Sequence, residues 1–185
     1  MKVFINPGHA LNGNPDPGAC NDETGLRECD VAMNVGQLVK KYLEQAGCPT
    51  ELLQSDNLVG ESPEYPCIVD TANSSGIDMF ISIHCNAANG EAHGTEVEVY
   101  DNTGGPAVDI AECVMNQICS SIGTTRRYIN SRSGLAVLRA TTMPAILIEM
   151  AFIDNAEDEK LLANKQDDFA RAIARGVTDY EQELE

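Results

Sequence analysis

The sequence predicts an α/β fold: a three-layer α/β/α domain with a mixed, mostly parallel twisted sheet and helices on both faces. Two observations carry the prediction. Runs of large aliphatic residues alternate along the chain with segments of helical periodicity, the pattern that lays helices over a mainly parallel sheet. These segments spread evenly over 185 residues with 43% hydrophobic content, enough to build one core without staples. No repeat, low-complexity tract or linker interrupts them, so residues 1–185 are expected to form a single domain.

Each element has its own signal. Lys2–Asn6 reads as a buried first strand, followed by a Gly/Pro/Asn-rich loop from Pro7 to Gly25, too long for a mere connector. Val31, Val35, Leu38, Val39, Tyr42 and Leu43 recur at helical spacing from Glu28 onward, and Gly47 closes that helix. Thr50–Leu53 makes a short strand, and Pro63 and Pro66 hold back a helix that runs to Ser75. Met79–His84 is the third strand, and Thr95–Tyr100 alternates as a half-buried fourth. Pro106 then opens a helix with the core stripe Val108, Ala111, Met115, Ile118 and Ile122. Leu135–Leu138 and Ala145–Met150 are expected to be the last strands. Asp154-Asn155 caps a helix with Glu157 and Asp158 in its first turn, where they favour the dipole. The final helix is expected to bury Phe169, Ile173, Val177 and Leu184.

Charge and cysteine usage narrow the function classes. Twelve basic against 29 acidic side chains leave a net charge of −17. Nucleic acid is excluded as a partner, since phosphate needs Lys and Arg to neutralise it. An anionic membrane surface would repel the chain, and no run approaches the length of a membrane span. Seven cysteines, an odd number with no CxxC pair, fit a reducing compartment better than a disulfide framework. Cys113 and Cys119 fall in one helical pattern and read as small core residues. After Met1-Lys2 the apolar stretch lasts three residues, so no signal peptide is expected. The chain is expected to be made in the cytoplasm and to act elsewhere only after release or by another export route.

The chemistry concentrates where apolar strands run into polar residues. Phe4-Ile5-Asn6-Pro7-Gly8-His9, Phe80-Ile81-Ser82-Ile83-His84 and Ile146-Leu147-Ile148-Glu149 end on His, His and Glu. In an open α/β sheet the carboxyl ends of the strands face the functional crevice. Two imidazoles there suit a metal such as zinc, with a carboxylate as third ligand. Glu23 and Glu28 compete for that place, with Asp16, Asp22 and Asp30 behind them. Glu149 interrupts an aliphatic run, and a buried carboxylate must be neutralised, paired or metal-bound. Burial raises its pKa, as a general acid/base near neutral pH requires; an ion pair with Arg139 or Arg132 would make it merely structural. Cys20, Cys29 and Cys85 lie beside the proposed ligands without any orienting spacing, His93 reads as a loop residue, and Asn86 either orients His84 or meets substrate.

These segments resemble the zinc-dependent N-acetylmuramoyl-L-alanine amidases of the third amidase class, found among bacterial wall-remodelling enzymes and phage endolysins. Asn6-Pro7-Gly8-His9 is similar to that family's opening Asp-Pro-Gly-His, and Gly25-Leu26-Arg27-Glu28 to its Glu-containing segment. Ala72-Asn73 with Ser82-Ile83-His84-Cys85-Asn86-Ala87 is close to its Ala-Asn…Ser-Ile-His-x-Asn-Ala signature. Met143-Pro144-Ala145-Ile146-Leu147-Ile148-Glu149-Met150-Ala151-Phe152-Ile153-Asp154-Asn155 resembles its last block. The likeness runs in order from the first strand to the last helix. Asn6 replaces the usual Asp, Ala10-Leu11 replace Gly-Gly, and Ala151 replaces the Gly after the catalytic Glu.

The resemblance implies His9, Glu28 and His84 as ligands of one catalytic Zn²⁺ and Glu149 as the catalytic carboxylate. It implies hydrolysis of the amide between the lactyl group of N-acetylmuramic acid and L-alanine, with peptidoglycan as substrate. Asn6 is expected to weaken the tuning of the metal site. So acidic a chain is expected to need a separate cationic module to attach to anionic walls. A zinc peptidase or deacetylase cutting another peptidoglycan bond is the alternative within metal enzymes, and a cysteine peptidase the alternative outside them.

Overall fold

The computed structural model describes residues 1–184. In chain order the elements are β1 (Val3–Pro7), α1 (Glu28–Gln45), β2 (Thr50–Leu52), α2 (Ile68–Ser74), β3 (Met79–Asn86), β4 (Thr95–Val99), α3 (Pro106–Ile122), β5 (Arg126–Ser131), α4 (Ala136–Ala140), β6 (Ala145–Phe152), α5 (Ala156–Asn164) and α6 (Gln166–Glu183). Six strands form one sheet in the order β2-β1-β3-β6-β4-β5. All neighbours pair parallel except β4 and β6, which run antiparallel. The predicted three-layer α/β/α architecture with a mixed, mostly parallel sheet is what forms.

Strand alternation sorts the core into two layers. Val3, Ile5, Ile81, Ile83, Ile146, Ile148, Val97 and Val99 face one way, under the apolar stripes of α1, α3 and α6. Phe4, Phe80, Ala145 and Leu147 face the other way, under Ile68 and Ala72 of α2 and Val137 and Leu138 of α4. Phe4 and Phe80 stack there with ring centroids 5.4 Å apart. The first layer is much the larger, and α3 and α6 cross closely within it. A Cβ on Gly176 would lie 2.5 Å from Val114 Cα, so only glycine permits that approach. Among the described residues no helix is long and apolar enough to cross a membrane.

The structure corrects three expectations. Leu135–Leu138 is not a strand: Ala136–Ala140 is a short helix whose Val137 and Leu138 pack on the smaller layer. β6 already has β3 and β4 on its two sides, so the sheet offers an apolar strand there no place beside it. The missing strand is Arg126–Ser131, a half-exposed edge strand whose polar residues hide the pattern. Leu184 is 65% exposed rather than buried. Cys113 and Cys119 pack against the large core without being fully inside it.

Candidate metal centre

Register brings the site together. β1, β3 and β6 run parallel, so their carboxyl ends share one edge of the sheet. His84 pairs with Glu149, and Glu149 pairs with Glu96 across the antiparallel step to β4. Alternation places His84, Glu149 and Glu96 on the α2–α4 face, as outward steps beyond Phe80, Ser82 and Leu147.

His9 arrives from a tight turn after β1. Its φ of 65° is unusual for a residue with a side chain. Gly8 N–H donates to Ile83 O at 2.9 Å, fastening the turn to β3. A Cβ on Gly8 would lie 2.3 Å from His84 Cε1, so glycine is what lets the two histidines approach. Their rings stand edge to face with centroids 5.0 Å apart.

Glu28 supplies the third group from the first residue of α1, where the helix dipole favours a carboxylate. It is only 4% exposed. Its Oε2 accepts Ala19 N–H at 2.7 Å and its Oε1 accepts Cys85 N–H at 3.0 Å. The same Oε1 lies 2.9 Å from His9 Nε2 and 2.9 Å from His84 Nδ1. One donor atom from each of His9, Glu28 and His84 lies within 4.8 Å of the others.

The outer nitrogens are oriented too. His9 Nδ1 meets Asp16 Oδ2 at 2.7 Å, and Asp16 Oδ1 accepts Gly18 N–H at 2.9 Å. His84 Nε2 meets Ser82 Oγ at 3.0 Å, and that hydroxyl donates to Asn6 Oδ1 at 3.0 Å. Asn6 in turn donates to Pro7 O and Leu53 O, each at 3.1 Å. Each imidazole therefore has one nitrogen fixed by a partner and the other turned to Glu28. Two imidazole nitrogens and one carboxylate oxygen, with a cleft beside them, form a donor set able to hold a divalent ion such as zinc.

Electrostatics agree with that use. Burial opposes charge on His9, yet its bonds to Glu28 and Asp16 raise its pKa from 6.5 to about 9. Burial likewise opposes charge on Glu28, but the two histidines hold its pKa far below the usual carboxylate range. The cluster stores a carboxylate with positive charge against it, which an incoming cation would replace. Glu149 differs. Burial pushes its pKa from 4.5 to about 7; His84 opposes the rise and Glu28, Glu98 and Glu96 add to it. Its Oε2 is buried with no hydrogen-bond partner among the described residues.

The other candidates lie elsewhere. Neither arginine neutralises Glu149: Arg132 pairs with Glu98 at 4.0 Å, and Arg139 donates to Gly134 O at 3.3 Å. Glu23 and Asp22 are exposed in the loop, and Asp30 pairs with Arg27 at 2.7 Å. Asp16 stands behind His9. Asn86 donates to Glu96 Oε2 at 3.1 Å, so it braces that carboxylate rather than His84. His93 is an exposed loop residue. All seven cysteines are free; burial drives the Cys85 thiol well above its ordinary pKa, opposite to an activated nucleophile. Ser82 was not foreseen, although its place two residues before His84 puts it on the same face. A cleft of about 210 Å³ opens beside the cluster, lined by His9, His84, Ser55, Leu58, Val137 and Leu147 among others.

Known proteins share this arrangement of chain. The family model described as N-acetylmuramoyl-L-alanine amidase matches residues 3–179. The sporulation-specific N-acetylmuramoyl-L-alanine amidase of Bacillus subtilis is 31% identical over 179 residues, 95% of this chain and 65% of that protein. The amidase LytC of the same organism is 31% identical over 182 residues, covering 96% of this chain and 35% of its own length. The chain thus spans less than two thirds of these curated relatives. Among solved structures, the amidase AmiC2 of Nostoc punctiforme superimposes with a TM-score of 0.84 at 33% identity, covering 98% of this chain and 97% of that one. With the sheet order, the His-Glu-His cluster and these likenesses in agreement, the chain belongs to the N-acetylmuramoyl-L-alanine amidase family.

Proposed function

We propose that residues 1–185 act as one catalytic domain that hydrolyses the amide between the lactyl group of N-acetylmuramic acid and L-alanine in peptidoglycan, using a single Zn²⁺. His9 Nε2, Glu28 Oε1 and His84 Nδ1 would hold the ion, and their mutual placement is the observation that carries the reading. When bound, zinc supplies Lewis acidity and lowers the pKa of a coordinated water toward roughly 7. Asp16 and Ser82 keep the two imidazoles in the orientation and tautomer that a ligand needs.

Glu149 is the proton carrier. Its carboxylate takes the proton of the attacking water as the water's oxygen bonds to the lactyl carbonyl carbon. It then gives that proton to the alanine nitrogen as the C–N bond breaks. Burial, which raises its pKa above the ordinary carboxylate range, suits one group to both transfers. The apolar wall of Leu58, Val137 and Leu147 limits water around the reacting bond. A separate wall-binding module would offset the domain's acidity on anionic walls.

Glu149→Ala is expected to retain one zinc per chain while kcat falls by about 10²–10⁴. His84→Ala is expected to lose both metal and turnover. Metal analysis beside rates on purified peptidoglycan reads the difference, and a metal-replete Glu149→Ala protein with near-normal kcat would remove Glu149 from the mechanism.

A further inference from the structure

Glu98 is a buried carboxylate that the proposed chemistry leaves unused. It stands on β4, 5% exposed, on the same sheet face as Glu149. Asn130 Nδ2 donates to its Oε1 at 3.2 Å, while its Oε2 is buried without a hydrogen-bond partner among the described residues. The cation facing Oε2 is Arg132, with Nε at 4.0 Å. So long a pair, with its carboxylate desolvated, is a weak source of stability. What it does supply is a negative charge that draws the guanidinium toward this face of the sheet.

Backbone hydrogen bonds tie Arg132 to the cleft wall. Arg132 N–H donates to Val99 O at 2.8 Å, and Leu135 N–H donates back to Arg132 O at 3.0 Å. Leu135 lines the cleft together with His84 and Leu147. The Arg132 side chain is 60% exposed and makes no hydrogen bond among the described residues, so its donors remain free. Its neighbour Arg127 is already paired with Glu96 at 2.5 Å. The cleft lining carries the acids Asp16, Asp56 and Glu61 and no lysine or arginine. An anionic segment of substrate would find its positive charge at Arg132.

Resting on the amidase reading above, we propose that Arg132, positioned by Glu98, binds the carboxylate carried by the stem peptide one residue beyond the scissile amide. Glu98 pairs with Leu147 and is thus diagonal to Glu149, about 7–8 Å away on one face. One peptide residue spans about 3.5 Å, so the next residue and its substituent cover that distance. Where that residue is glutamate joined through its γ-carboxyl, the α-carboxylate is free and matches the planar fork of a guanidinium. Where the same carboxyl is amidated, the charge is gone. Arg132 therefore selects the acid form over the amide.

The test uses two preparations of peptidoglycan fragments that differ only in whether this group is a carboxylate or a carboxamide. KM and kcat are measured for the wild type, Arg132→Ala, Arg132→Lys and Glu98→Gln. The wild type is expected to show a KM about tenfold lower on the acid form. Arg132→Ala should abolish the preference by raising KM on the acid form alone, Arg132→Lys should restore part of it, and Glu98→Gln should reduce it. A wild type with equal KM on both forms, or a preference intact in Arg132→Ala, overturns the proposal while leaving the amidase reading standing. Absence of lactyl–alanine cleavage by the wild type on either form overturns both.

Discussion

At the scale of single residues, the site depends on what burial and charge do to two glutamates. Glu28 and Glu149 share a site, yet one is driven down by two histidines and the other driven up by burial. The sign for Glu149 is definite. Its native pKa of about 7 exceeds the ordinary 4.5, so the native state binds more protons between those values and stability falls as pH rises through that window. Glu149→Gln is therefore expected to stabilise the zinc-stripped protein by up to about 3 kcal/mol at pH 8, with the gain fading toward pH 4. Urea unfolding at both pH values checks this; a destabilised Gln variant at pH 8 would mean that the carboxylate is paired after all. Gly8→Ala is expected to cut zinc occupancy, because its Cβ would lie 2.3 Å from His84 Cε1. Metal analysis of the folded variant decides it. His9, His84 and Glu149 were legible in the sequence because each ends or interrupts an aliphatic strand. Asp16 could be named only as a possible ligand, since nothing in a loop sequence tells a ligand from the residue behind it. Asn6 reaches the site through Ser82 and His84, a route that only strand pairing reveals.

At the scale of elements, strongly periodic segments formed as read and weakly patterned ones did not. α1, α3 and α6 carry long apolar stripes, and β1, β3 and β6 carry aliphatic runs. Leu135–Leu138 is too short for periodicity to separate strand from helix, and the decision fell to the sheet, which had no vacancy beside β6. β5 shows the reverse problem: Ile129 alone packs on the core, and the polar residues around it suit an exposed edge. Two substitutions test these elements. Gly176→Ala would normally strengthen a helix by up to about 1 kcal/mol. Here the new Cβ would meet the Val114 backbone at 2.5 Å, so overpacking wins and a net loss of about 1–3 kcal/mol is expected by thermal unfolding. Asn155 caps α5 by accepting from Glu157 N–H and Asp158 N–H. Asn155→Ala should cost about 1 kcal/mol, and no loss in denaturant titration would show that the cap is not needed.

At the scale of the whole molecule, three parallel strands of a mixed sheet gather side chains that the sequence spreads over 140 positions between His9 and Glu149. The carboxyl ends of β1, β3 and β6 form one edge, the long loop after β1 and the start of α1 close over it, and the segment after β2 and the start of α4 wall the cleft. The net charge of −17 works against contact with anionic wall polymers. Lysis of teichoic-acid-rich walls by this chain alone is accordingly expected to be slow at low ionic strength and to quicken as salt screens the repulsion. A turbidity assay across salt concentration reads this, and lysis that slows as salt is added would contradict it. The most direct test of the central claim is mass spectrometry of products from purified peptidoglycan, with zinc, with a chelator, and with zinc restored. Intact stem peptides bearing a free N-terminal alanine are expected, absent under chelation and recovered with zinc. Cuts within the stem or the glycan, or products indifferent to the chelator, would contradict it.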